Sequence, residues 1–346
     1  MSGHQGETTK SEVNRVITLA ARPVGFPKET DFELTEEPKP TPGNGQFLVR
    51  TKFVSVDPYM RGRMNEQRSY ADPFEIGQGI YGGAVGEIVE SDHDRYQVGA
   101  FVHGMWGWKD YAVCEGTEVY PVDPNLAPIQ TSIGVLGMPG MTAYFGFLEI
   151  CKPKPGDCTF VSGAAGAVGQ LVGQIAKIKG CSPVVGSCGS DEKVEFLLEH
   201  CGYDAAFNYK TDTDYLAKVR ELCPEGVDCY FDNVGGKLTD AVFANLAQFA
   251  RVSICGMISQ YNLEKTEMGP RTAYMMMLTR QASAQGFLIP QFGGKFPHGI
   301  QQMAQWIHEG ELAYREDIVE GLENTPKAFI RMLKGENKGK QLVRVS

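Results

Sequence analysis

A doubly wound parallel α/β sheet joined to a second, β-rich domain is the fold class predicted, on three observations. Between residues 158 and 255, short β-branched runs alternate with helix-like stretches, with strands near 158–162, 183–188, 205–208, 227–232 and 250–255. The first run ends in a glycine-rich turn, Gly163-Ala-Ala-Gly166-Ala-Val-Gly169, which feeds the apolar-periodic stretch from Val168 to Ile178. Residues 15–120 instead carry many short strands punctuated by Gly and Pro, the pattern of a twisted, partly closed β-domain.

The elements follow in order. Residues 15–20 and 46–56 are strand-like, separated by the turn cluster Lys39-Pro-Thr-Pro-Gly-Asn-Gly45. Asp57-Pro-Tyr59-Met-Arg61-Gly-Arg63 reads as irregular, and Gly77 to Gly86 as a glycine-dense hairpin entering a strand. Two short strands follow at 98–104 and 108–113, then a helical linker over 131–149. Past the parallel-sheet region come a strand at 284–289, helices near 298–309 and 326–334, and a last strand at 341–345. Met268-Gly-Pro-Arg-Thr-Ala-Tyr-Met-Met-Met-Leu carries three adjacent methionines that suit either a flexible pocket lining or ordinary helix core.

Composition excludes several function classes. The chain has 346 residues, a net charge of −9 and 42% hydrophobic residues. That acidity argues against a nucleic-acid-binding or anionic-membrane surface as the main role. No apolar run approaches the roughly 20 residues of a membrane span. Residues 1–14 are polar with no signal-peptide pattern and are expected as a flexible tail. The nine cysteines are scattered and odd in number, which fits reduced thiols in the cytoplasm better than a disulfide framework.

The glycine turn carries the first functional expectation. A strand, a tight turn and a helix N-terminus aim unpaired N–H groups and a positive dipole end at one spot, a ready anion site. Gly166 admits close approach of a pyrophosphate backbone, and Gly169 lets the helix pack on the strand. A tight structural turn is the plain alternative, but a second apolar run at βαβ spacing favours a dinucleotide. An NAD site places a carboxylate at the end of the second strand for the ribose 2′-OH. Here that position falls near Cys188 in Gly186-Ser-Cys-Gly-Ser190-Asp-Glu-Lys193, without an acid. Lys193 could instead neutralise a 2′-phosphate, so NADPH is favoured over NADH; a solvated helix lysine is the other reading.

Several stretches, in order, carry a resemblance to a known family. They are Val56-Asp-Pro-Tyr-Met-Arg-Gly-Arg, Gly137-Met-Pro-Gly-Met-Thr-Ala-Tyr-Phe-Gly, the glycine turn, Gly189-Ser-Asp-Glu-Lys and Phe207-Asn-Tyr-Lys-Thr. Asp228-Cys-Tyr-Phe-Asp-Asn-Val-Gly-Gly, Ile254-Cys-Gly-Met-Ile-Ser-Gln-Tyr-Asn and Gly335-Glu-Asn-Lys-Gly-Lys continue the series. Over nearly its whole length the chain resembles the zinc-independent medium-chain dehydrogenase/reductase superfamily, and within it the prostaglandin reductase / alkenal double-bond reductase group. The resemblance implies a GroES-like twisted β-barrel catalytic domain from residues 15–135 and 311–346. It implies a Rossmann NADPH-binding domain at 136–310 and a homodimer formed by sheet extension.

It also implies site residues. Ala167, Val168 and Gly169 would lie at the pyrophosphate, and Ser190, Lys193 and Tyr209 around the adenosine phosphate. Asn233, the loop holding Cys255, Gly256, Ile258, Ser259 and Tyr261, the Phe287-Leu288-Ile strand and Asn337 would lie towards the nicotinamide. Asn233, followed by Val-Gly-Gly, could equally be a left-handed turn residue. Zinc members of the superfamily need a Cys and a His-Glu pair where this chain reads Val56-Asp57-Pro58 and Gly77-Gln78-Gly79, and Cys-x-x-Cys is absent. The expectation is chemistry without a metal.

Without a Lewis acid, a developing alkoxide lacks its strongest stabiliser, whereas an enolate can be held by hydrogen-bond donors. The implied reaction is therefore NADPH-dependent reduction of the C=C bond of a small hydrophobic α,β-unsaturated carbonyl compound. Tyr261 is the first candidate phenol for the enolate oxygen and Tyr59 the second. A quinone oxidoreductase and a non-catalytic NADPH-binding protein are the alternatives.

Overall fold

The computed structural model describes residues 13–346 apart from 68, 266, 270 and 271. Strand β1 (Val13–Leu19) pairs antiparallel with β2 (Phe32–Pro38), Val13 facing Pro38 and Leu19 facing Phe32. The expected tail is thus structured at its end: Asn14 is buried and donates to Glu37 at 2.8 Å. Residues 1–12 of that tail lie outside the described residues.

The first large sheet is built on β3 (Phe47–Ser55), a β-branched and aromatic run buried at most positions. The segment after it, expected as irregular, is the short helix α1 (Tyr59–Arg63). Pro58 at its N-cap presets a helical φ, and Arg61 and Arg63 in its last turn complement the dipole. Then come β4 (Ala84–Ser91), β5 (Phe101–Gly104), β6 (Tyr111–Cys114) and β7 (Tyr120–Val122).

The expected helical linker is broken into a 3₁₀ turn (Ile129–Ile133), α2 (Met138–Phe145) and a π-helical turn (Gly146–Cys151). The chain folds back tightly between the first two. A β-carbon on Gly140 would lie 1.7 Å from the Val135 carbonyl oxygen, and one on Gly137 2.2 Å from that of Ser132. One straight helix cannot contain such a fold-back.

The parallel sheet then winds through β8 (Thr159–Val161), α3 (Gly169–Ile178), β9 (Val184–Cys188), α4 (Asp191–His200) and β10 (Ala205–Asn208). It continues with α5 (Tyr215–Leu222), β11 (Val227–Asp232), α6 (Gly236–Phe243), β12 (Leu246–Ile254), α7 (Thr272–Arg280) and β13 (Ser283–Gly286). Its order is β10-β9-β8-β11-β12-β13, every neighbour parallel. The order reverses between β8 and β11, and a crevice opens there off the strand C-termini. Strand β13 stops at Gly286, three residues short of expectation, because a 3₁₀ turn opened by Ile289-Pro290 follows.

Alternation along the strands fills both faces. Phe160, Val185 and Tyr230 enter one apolar cluster with residues of α5, α6 and α7. Their neighbours Val161, Val184 and Phe231 enter the other, with α2, α3 and α8 (Phe296–His308). The chain then returns: β14 (Glu316–Glu320), α9 (Thr325–Leu333) and β15 (Lys340–Arg344) complete the first sheet, ordered β14-β15-β3-β4-β5-β7 with β6 on β3. Phe329 of α9 packs edge-on against the fully buried Trp108 and against Phe32 in that domain's core. The architecture is a Rossmann sheet plus a GroES-like β-domain.

Candidate active site

The site begins at the turn after β8. Gly163 takes φ +61°, in the left-handed region, and the Ala164 amide donates to Ser187 O at 2.9 Å, tying the turn to β9. A β-carbon on Gly169 would lie 2.4 Å from Gly163 O, so only glycine lets α3 start this close to the strand. Val168 at the N-cap offers no side-chain acceptor, and Ala167 and Val168 are half-exposed. The helix dipole end is therefore free for an anion. Gly166 does admit a second backbone; the protein backbone beside it is that of Gly339, in a parallel bridge.

At the end of β9 the two nearby carboxylates are both engaged. Ser190 caps α4 by accepting from the Lys193 amide at 3.3 Å. Asp191 is engaged by the Asn208 side chain at 2.8 Å, and Glu192 by the Lys338 ammonium at 2.5 Å. The Lys193 ammonium donates to Gly335 O at 2.7 Å, and burial, with nearby Lys210 and Arg331, lowers its pKa. Tyr209 lies directly opposite: its hydroxyl would be 2.7 Å from a β-carbon on Gly189. A half-buried cation, a phenol and a glycine floor suit a phosphate monoester and offer a ribose 2′-OH no acid.

Across the switch point, buried Asp232 organises the next loop. It accepts from Ser162 Oγ, Val234 N and Gly235 N at 2.9 Å each and from Thr239 Oγ1 at 2.7 Å. Asn233 donates its backbone N–H to Ser162 Oγ and its side-chain amide to Ser162 O. The positive φ angles of this turn belong to Gly235 and Gly236, so Asn233 is not a left-handed turn residue. Cys255 and Gly256 donate to Asp232 O, Ile258 to Asn233 O and Ser259 to Val234 O, which stitches loop 255–261 over the strand ends.

Each domain contributes one phenol with donor capacity. The Tyr261 hydroxyl accepts from the Met257 amide at 3.2 Å, which leaves its own hydrogen to donate. The Tyr59 hydroxyl, carried by α1, is buried and has no partner among the described residues. Burial raises both pKa values, most strongly at Tyr59, where Asp57 adds to it. Tyr70, which sequence reasoning missed, is electrostatically linked to both: it adds to the rise at Tyr59, and Tyr261 adds to the rise at Tyr70. Ile258 of the loop packs on the β-domain core, as Tyr59 does.

The other expected residues are set as follows. Phe287 turns its ring onto Gly146, Phe231 and Phe292, while Leu288 is exposed. The Asn337 amide is spent on Gly339 O at 2.7 Å. Of the three methionines, Met277 packs against the core below α7 and Met275 is exposed. Among the described residues, no three His, Cys, Asp or Glu side chains converge as a metal site.

A parallel sheet with a glycine turn at its switch point, and a half-buried lysine after its second strand, are the features of an NADP-dependent oxidoreductase. Residues 15–122 match the family described as N-terminal domain of oxidoreductase, and residues 167–309 that described as zinc-binding dehydrogenase. The chain is 44% identical to the NADPH-dependent curcumin reductase of Escherichia coli, over 96% of its own length and 97% of that protein's. It is 42% identical to a 2-alkenal reductase (NADP(+)-dependent) of Nicotiana tabacum, covering 96% and 98%. The crystal structure of CurA from Vibrio vulnificus in complex with NADPH superposes with a TM-score of 0.92 at 42% identity, covering 96% and 99%. The chain belongs to the zinc-independent medium-chain dehydrogenase/reductase superfamily, in its prostaglandin and alkenal reductase group.

Proposed function

We propose that this enzyme reduces the carbon–carbon double bond of small hydrophobic α,β-unsaturated aldehydes and ketones. One observation carries the reading: Tyr261, in the loop over the strand ends, has an uncommitted hydrogen, and Tyr59, on the β-domain side, has an orphaned hydroxyl, with Tyr70 electrostatically linked to both. The relatives' printed activities, on curcumin and on 2-alkenals, support it.

NADPH supplies the hydride that the β-carbon of the substrate receives. The residues around it have separable tasks. Ala167, Val168 and Gly169 present the α3 N-terminus to the pyrophosphate, and Gly166 keeps that approach open. Lys193, Ser190 and Tyr209 hold the 2′-phosphate. Asn233 and loop 255–261, with Leu288 and Asn337, border the nicotinamide side. As negative charge grows on the carbonyl oxygen, Tyr261 donates to it, with Tyr59 as second donor. Both phenols stay protonated at neutral pH, so the enolate is stabilised without a Lewis acid.

Two further proposals concern the setting. The exposed edge of β13, beside the apolar Tyr274, Met275 and Leu278 of α7, suits a homodimer joined by sheet extension. The nine free thiols suit the cytoplasm.

The test is loss of nicotinamide absorbance with NADPH and NADH against a 2-alkenal, an aryl enone and a quinone, followed by product analysis. Saturated carbonyl products with NADPH preference support the proposal. An allylic alcohol or a hydroquinone would overturn it in favour of carbonyl or quinone reduction, and firm NADPH binding without turnover would leave a binding protein.

A further inference from the structure

Lys340 is 3% exposed, yet it sits in the opening position of β15 with its ammonium committed to four oxygens. It donates to Ser55 Oγ at 2.7 Å, Val56 O at 2.9 Å, Asp57 Oδ1 at 3.0 Å and Gln341 O at 3.1 Å. Asp57 is equally buried and accepts from Ser55 Oγ as well. A buried ion pair is tolerated only when its remaining hydrogen-bonding capacity is satisfied, as it is here. What it anchors is the last extended residue before Pro58 and Tyr59, the start of α1.

The residues just before Lys340 face the other domain. Gly335 O receives the Lys193 ammonium, Lys338 pairs with Glu192, and Gly339 lies against Gly166 of the pyrophosphate turn. Gly339 takes φ +84°, and a β-carbon there would come within 2.1 Å of Arg315 O, so the register of this segment is fixed. Residues 335–340 therefore touch the phosphate cation, the pyrophosphate turn and the base of the Tyr59 helix in succession.

We propose that Lys340 is a positioning residue, which by holding Asp57 aims Tyr59 into the cofactor cleft whose other wall the same segment braces. The claim rests on the enone-reductase reading above. It assigns Lys340 no contact with substrate: its effect passes through Asp57 and the first turn of α1.

The experiment compares wild type, Lys340→Met and the double variant Lys340→Met/Asp57→Asn. Each is measured for thermal unfolding, NADPH affinity by fluorescence titration, enone turnover, and the ¹³C NMR signal of Tyr59 in tyrosine-labelled protein. The single variant leaves a bare buried carboxylate and loses stability; the double variant removes that charge and recovers most of the lost Tm. If Lys340 positions Tyr59, kcat in the double variant stays low, by about a hundred-fold for a misplacement near 1 Å. NADPH affinity then stays within about threefold, a small fraction of the binding energy, and the Tyr59 signal stays shifted. Recovery of kcat and of the Tyr59 signal together with Tm would overturn the proposal, since the pair would then only support the fold. Should the single variant not fold, the double variant carries the test by itself. Wild type without enone turnover would sink the functional reading, whereas an unmoved Tyr59 signal in the double variant sinks the positioning claim.

Discussion

Tyr261 and Lys193 carry the two residue-scale predictions. Tyr261→Phe removes the donor and keeps the ring, so kcat on an enone should fall by about 10²- to 10³-fold, the usual loss for one oxyanion donor. NADPH affinity by titration should change little; an unchanged kcat would remove Tyr261 from the chemistry. Lys193→Ala deletes one charge-assisted contact, and the KM for NADPH should rise roughly 10- to 100-fold while that for NADH holds. The same lysine gives a pH dependence. Its pKa is lowered from 10.5, chiefly by burial, and only the protonated form holds a phosphate. Affinity for NADPH should therefore begin to fall with rising pH below the ordinary lysine range, with NADH flat across it.

At the scale of elements, α3 is packed tightly on its neighbours. A β-carbon on Gly173 would lie 2.1 Å from the Tyr203 ring, whose hydroxyl donates to Gly169 O at 2.7 Å. Gly173→Ala must push that ring away and should cost about 1–3 kcal/mol, read as a lowered Tm. In β5, burial depresses the His103 pKa from 6.5 to about 4, and its ring stacks on Tyr120. Folded protein then holds a neutral imidazole where the unfolded chain would already bind a proton. Its contribution is complete above pH 6.5 and lost as pH falls through about 4. Denaturant unfolding across that window should show a shallower acid loss in His103→Gln.

On the scale of the whole molecule, the exposed β13 edge and the apolar face of α7 predict a dimer in solution. Light scattering should give twice the chain mass, and Leu278→Glu should give one chain mass with little change in unfolding temperature. A wild-type monomer would retire the sheet-extension proposal. Loop 255–261, residues 313–315 and residues 335–340 all join the two domains, so cleft geometry is a property of the pair.

Much of the nucleotide half could be read from the sequence because its signals are local. A strand ending in Gly163-Ala-Ala-Gly166-Ala-Val-Gly169 leaves few backbone choices, and the alternation that follows it put β8 to β12 within a few residues of their observed ends. The missing carboxylate after β9 likewise points to a phosphate from sequence alone. Short and long-range features were not legible. Five residues of α1 are too few to show a helical period, and the fold-back at Gly137 and Gly140 depends on atoms contacted rather than on residue type. For Asn233 the sequence leaves a nicotinamide-side role and a left-handed turn both open, and the two following glycines take the left-handed conformation at lower steric cost. Tyr70 had no local mark at all. Lys340 closes the motif Gly335-Glu-Asn-Lys-Gly-Lys, but nothing local marks it as buried. Only the return of β15 beside β3 buries it against Asp57, because strand pairing across almost 300 residues is decided by cores and registers that no local pattern encodes.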